Sequence, residues 1–165
     1  MNIFALDADP VLAAQYHCDR HVIKMVLETA QMLSSAHRIH GSTVDALYRA
    51  THLKHPISKW INTSAENYQW GYDLFVALAA EYELRYHRVH GSYRLLNHVL
   101  CHIPDGIESS VLTPWVQCMP EIYRGEDPVQ AYRQYYLECK LKMSTWRREM
   151  PFWVQEHLAK QSTNL

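Results

Sequence analysis

Polar and apolar positions follow a helical rhythm most clearly between Tyr16 and Arg38. Polar side chains stand at His17, His21, Lys24, Glu28, Gln31, Ser35 and Arg38, in steps of three or four. Such steps fall on one stripe of a helix. Val22, Ile23, Met25, Val26, Leu27, Ala30, Met32, Leu33 and Ala36 cover most of the remaining circumference. A helix of this pattern is buried on most sides. Its single polar edge either faces water or lines a cavity.

The rest of the chain divides at its caps and breakers. Asp9-Pro10 reads as an N-cap followed by proline at the first helical position, opening a helix to about His40, with a jog near Cys18-Asp19 and a stop at Gly41. Ser42 and Thr43 suit the start of a short helix over 44–50. His55-Pro56 breaks the chain ahead of another short helix. Thr63 to Glu66 forms a capping box for a second long helix over about 65–89, in which Trp70, Leu74, Phe75, Leu78 and Tyr82 recur at helical spacing. A third helix is expected over 93–102. Pro104-Asp105-Gly106 then starts a loop of about twenty residues, and Trp115 and Met119 within it imply packing on the body. Asp127-Pro128 caps a last helix reaching about Arg148, with Pro151 beyond it, and the tail from about 159 is expected to fray. No stretch alternates with period two. The expected fold is all-α: one domain of four to five main helices with one long packed loop.

Composition narrows the function classes. The chain has 165 residues, a formal net charge of -1 and 48% hydrophobic residues. It carries no strongly basic nucleic-acid footprint, no apolar run long enough to span a membrane and no signal-peptide pattern at MNIFALDADP. A cytoplasmic protein that engages no membrane is expected. Cys18, Cys101, Cys118 and Cys139 form no CxxC pair and read as reduced thiols. Motifs of the GxGxxG, Walker A, HExxH and GxSxG types are absent.

The candidate chemistry lies in histidines and in basic-aromatic pairs. His17, His21 and Glu28 are the catalytic candidates: an imidazole as base or base-binder, a carboxylate as acid, base or stabiliser of positive charge. Lys24 and Arg20 suit phosphate. The bland alternative is the solvent stripe of an amphipathic helix. His52 and His55 either cap locally or join His17 and His21 as ligands of a divalent metal on a helical frame; the leading reading needs no cofactor. Glu81 and Arg85 form an i,i+4 pair, most simply a salt-bridged surface turn, with Arg85 a further phosphate candidate. Asn67 is a polar-site candidate beside the capping Glu66. Lys140, Trp146 and Arg147 interleave charge and aromatic surface, as phosphate contacts and base stacking require, or complement a helix C-terminus. His98 and His102 flank Cys101 within an apolar helix pattern and read as core.

Two resemblances bear on function. Met1–Phe4, Leu6-Asp7, Asp9-Pro10, Ala13–Asp19, His21 and Lys24–His37 match MNIF-x-LD-x-DP, AAQYHCD-x-H and KM-x-LE-x-AQ-L-S-AH. His55-Pro56, Trp60, Glu66-Asn67, Thr113-Pro114 and Met119-Pro120 extend the match. Together they resemble an uncharacterised family of small helical proteins common in bacteriophage genomes. More remotely, Leu12-Ala13-Ala14-Gln15 with His17, and Tyr135, Tyr136, Trp146 and Arg147, are similar to elements of the phage pyrimidine-dimer DNA glycosylase/lyase family. That resemblance implies an all-helical domain acting on DNA through the α-amine of the second residue and a glutamate. Here Asn2 holds the second position, Glu28 is the nearest glutamate on the appropriate face, and Val22 and Ile23 stand where that family has charged residues. The implied activity is cleavage or transfer at an N-glycosidic bond of DNA or a nucleotide, in DNA repair or modification. The alternatives are a metal-dependent hydrolase and a non-enzymatic phage protein that binds a host protein or sequesters a nucleotide.

Overall fold

The long polar-striped helix is the centre of the molecule. A computed structural model describes residues 1–163. Among them the helices are α1 (Pro10–Tyr16), α2 (Asp19–Ile39), α3 (Pro56–Ile61), α4 (Ala65–Tyr86), α5 (Gly91–Leu100), α6 (Pro128–Cys139) and α7 (Phe152–Thr163), with 3-10 turns at Glu121–Tyr123 and Leu141–Met143 and no strand. The fold is all-α, and five of these helices have ten residues or more.

Local chemistry explains most boundaries. The Asp9 carboxylate accepts from the backbone N–H groups of Val11 and Leu12, Ser64 caps α4 through the Asn67 N–H, and Asp127 caps α6 through Val129 and Gln130. The expected jog is real: His17 and Cys18 take extended backbone between α1 and α2. The α2 helix packs on α3, α4 and α5, while α1 lies on α4. Val22, Val26, Met32 and Leu33 of α2 meet Leu74, Phe75 and Leu78 of α4 in one core. The N-terminal segment Ile3–Leu6 is buried in the same core.

Two expectations about helices fail, both for tertiary reasons. No helix forms over 44–50. Instead the Arg38 guanidinium donates to the carbonyls of Ser42, Leu47 and Tyr48, meeting the backbone's demand that a helix would have met. The last helix ends at Cys139, not near Arg148. Residues 145–147 are pulled onto the α1–α2 corner: the Asp19 carboxylate accepts from the Thr145 hydroxyl and the Arg147 N–H, and the Trp146 indole donates to the Tyr16 carbonyl. Pro151 then precedes a further helix, α7. The tail expected to fray from about 159 is helical to Thr163, and its last two residues lie outside those described.

The long loop is packed. Glu66 accepts from the Ser109 hydroxyl and the Ser110 N–H. The Asn67 carboxamide spans the Trp60 carbonyl and both the N–H and the hydroxyl of Thr113. The Tyr132 hydroxyl sits between the Cys118 N–H and the Val116 carbonyl. These anchors fix the wall of the cleft described next.

Candidate functional site

The stripe of α2 meets three fates. His17, at the α1 C-terminus, is wholly buried. Its Nδ1 lies 2.7 Å from the Ala13 carbonyl, which only accepts, so Nδ1 carries the proton. Nε2 is left without a partner. Burial first, then the charges of His21 and Arg85, hold its pKa down at about 3. His21 lies stacked on Phe4, with ring centroids 4.8 Å apart. The Tyr136 hydroxyl accepts from the Cys18 N–H and hydrogen-bonds with His21 Nδ1 at 2.7 Å. Burial, then Lys140, Lys24 and Arg20, bring the His21 pKa to about 4. Both imidazoles are therefore neutral, weakly basic members of an aromatic cluster. The role of water-activating base suits neither as placed: His17 has no exposed atom to offer a substrate, and only 7% of His21 is exposed.

Glu28 is different. Its Oε2 accepts from the Asn2 N–H at 3.2 Å and stands 3.9 Å from the Met1 amino group, while Oε1 pairs with Lys24 Nζ at 3.2 Å. Only 13% of its side chain is exposed, against 60% for Lys24. The first two residues are held in place: Asn2 Nδ2 donates to the Cys118 carbonyl at 3.0 Å, and Asn2 Oδ1 accepts from the Ile3 N–H. The amine, the carboxylate and the lysine thus share one corner.

That corner adjoins an open cleft of about 660 Å³, whose lining includes His55, Trp115, Cys118, Met119, Arg124 and Tyr135. His55 caps α3, its Nδ1 accepting from the Ile57 N–H at 3.2 Å. Burial lowers the His55 pKa; the terminal amine and His52 add to this, and Glu28 opposes it. Burial raises the Cys118 thiol pKa, and the same amine pulls it back. The two cleft residues therefore feel the charge of the amine. Trp115 packs edge-on against Trp70, and Lys140 Nζ lies 5.0 Å above the Tyr135 ring. The cleft offers aromatic faces with cations at hand, a combination suited to a flat, electron-rich group.

Other candidates go elsewhere. Arg85 is no phosphate contact and its turn is no surface turn: its buried guanidinium binds Glu81, Asp19 and the carbonyls of Gln15 and His17. Asn67 is wholly buried in its clamp on the loop. Trp146 and Arg147 serve the α1–α2 corner, and the Arg147 guanidinium lies 4.7 Å from the Tyr86 ring centroid. Arg20 and Lys24 are exposed. His52 is exposed with φ 51° and contacts the Thr51 hydroxyl. Among the described residues no group of three or more His, Cys, Asp or Glu is arranged to hold a metal ion, so the set His17, His21, His52 and His55 does not assemble. Sequence reasoning missed Met1, Cys118 and Arg124, and reached Asn2 and Tyr135 only through the resemblance. For the loop residues, the one signal was the loop's length and its Trp115 and Met119. No helix among the described residues is long and apolar enough to cross a membrane. No family model matches the chain, and neither curated proteins nor solved structures yield a significant match.

Proposed function

We propose that the corner of Met1, Glu28 and Lys24, with the adjoining cleft, is the active site of an enzyme that acts on an N-glycosidic bond of DNA or a nucleotide. The observation that carries this reading is the primary amine set beside a largely buried carboxylate, 3.9 Å away, at the edge of an aromatic-lined cleft. It agrees with the resemblance to the DNA glycosylase/lyase family, whose chemistry uses an α-amine and a glutamate.

Each group has a defined task. Trp115 and Tyr135 present faces to a base. Arg124, Lys24 and Arg20 attract the phosphates. As the bond from C1′ to the base nitrogen breaks, its electron pair leaves with the base, which takes up a proton. Positive charge develops at C1′ and the ring oxygen, and the Glu28 carboxylate stabilises it. The Met1 ammonium gives one proton to the departing base; the amine so freed bonds to C1′ and passes a second proton to Glu28. As the C1′–O4′ bond breaks, its electron pair goes to the ring oxygen, which takes that proton back from Glu28 and leaves a protonated imine between the Met1 nitrogen and C1′. His17 and His21 hold the scaffold through Phe4 and Tyr136.

The test is base release from DNA carrying pyrimidine dimers, alkylated or deaminated bases, and from free nucleosides, with and without borohydride. A covalent protein–DNA adduct, mapped by peptide mass to Met1 and not to Lys24, is the expected result; the intact mass identifies the residue that bears the amine. Glu28→Gln is expected to cut release by a factor of about 100 or more with an unchanged circular dichroism spectrum. Release without an adduct would replace the amine by water and keep Glu28. No release from any of these substrates would sink the reading and favour a binding protein.

A further inference from the structure

Pro120 and Arg124 line the cleft and flank the 3-10 turn Glu121–Tyr123. At the tip of that turn Ile122 is 83% exposed, more than any other large apolar side chain among the described residues. The tip is held stiffly. Arg124 Nε donates to the Met119 carbonyl at 3.0 Å, and Gln117 makes two hydrogen bonds to Gly125, donating to its carbonyl at 2.7 Å and accepting from its N–H at 3.0 Å. The Tyr123 ring packs on Tyr135, which itself lines the cleft, with centroids 5.3 Å apart. A rigid support for a solvent-exposed isoleucine costs hydration in the free protein. It is worth having where that side chain enters an apolar space on binding.

We infer that Ile122 is a wedge that enters the base stack of a duplex while the neighbouring cleft receives the extruded nucleotide, so that the substrate is a double-stranded polynucleotide. This rests on the reading of the cleft as a base-binding site. Extrusion leaves a gap in the stack, and apolar side chains stabilise the kinked, unstacked step. The surroundings fit a duplex better than a protein surface. Arg124 adjoins the tip, Lys140 covers the Tyr135 ring, and Lys24 and Arg20 stand close enough to His21 to depress its pKa. Glu121, Glu126 and Glu138 lie on the same elements, so the cationic excess is modest and the salt dependence of binding should be shallow. A free nucleotide has no stack to enter and would leave Ile122 unused.

The probe is a short DNA duplex carrying 2-aminopurine opposite an abasic site, with the matching single strand as control. Binding is read by anisotropy and extrusion by the rise in 2-aminopurine fluorescence. The intact protein should bind the duplex and raise the fluorescence. Ile122→Ala, at a site too exposed to disturb folding, should lose about tenfold or more of that rise, whereas Ile122→Phe keeps it and binding to the single strand is unchanged in all three. An equal rise with alanine, or binding confined to the single strand, overturns the wedge and leaves the glycosidic reading standing. No binding to either DNA overturns the wedge and the DNA form of the glycosidic reading together, and gives the tip to a protein contact.

Discussion

A neutral imidazole in a protein core has no charge to desolvate at neutral pH and becomes increasingly costly in acid. His17 and His21 titrate at about 3 and about 4 in the folded protein, against about 6.5 in an unfolded chain. Between those values the unfolded state binds more protons, so stability falls as pH drops below 6.5 and levels off only near the folded values. The loss reaches about 2 kcal/mol per histidine at pH 5. Urea denaturation at pH 7 and pH 5 should show it, and His21→Gln should remove roughly half of the difference attributable to this pair. A fall that is unchanged in the variant would show that His21 is not buried neutral. The same environment that makes these residues poor bases makes them good packing partners for Phe4 and Tyr136. Residue type and spacing advertised chemistry here, and burial withdraws the two imidazoles while leaving Glu28, one turn beyond Lys24 on the same stripe, partly exposed.

At the scale of elements, caps written in a few adjacent residues were legible, and ends decided by distant partners were not. Asp9 and Asp127 satisfy their own helix starts as expected, whereas α4 is capped by Ser64 rather than Thr63, and Glu66 turns to the loop instead of closing the capping box. The absent helix over 44–50 depends on Arg38, 4 to 10 residues before the carbonyls it binds, and the early end of α6 on Asp19, 126 to 128 residues from the groups it accepts from. The long loop is likewise an element only because α4 holds it. Asn67→Leu removes the bonds to Trp60 and Thr113 at once. A loss of about 2 kcal/mol or more is expected from the unpaired Thr113 N–H and Trp60 carbonyl. Hydrogen exchange should accelerate across residues 108–117 while α2 stays protected. Exchange that remains slow there would mean that Glu66 and the Ser64 hydroxyl, which donates to the Val111 carbonyl, suffice to hold the loop.

The whole molecule is tied together by one buried ionic network. Arg85 of α4 binds Asp19 at the start of α2 and Glu81 of its own helix, and Arg148 of the C-terminal segment also reaches Glu81. With the Gln15 and His17 carbonyls added, the network joins α1, α2, α4 and the chain beyond α6. Breaking a buried pair leaves the other charge uncompensated, at a cost of about 3–5 kcal/mol. Arg85→Met should therefore lower the unfolding free energy measured in urea by that amount, and Arg148→Met, whose partner keeps Arg85, by much less. Comparable losses would place the strength of the network at its rim.

Sequence alone determined the all-α class, the two long helices, the jog at Cys18-Asp19 and the packed loop, because hydrophobic period and capping act over a few residues. It also placed Glu28 and Lys24 on one stripe with the two histidines. It was silent on what covers that stripe. Only the tertiary structure decided that Phe4 and Tyr136 seal the histidine end, that the Met1 amine comes to Glu28, and that a loop some ninety residues further along the chain builds the adjoining cleft. Those contacts join segments remote in sequence. No local pattern encodes such contacts, because the gain from making them comes from burial and pairing that exist only once the chain has folded.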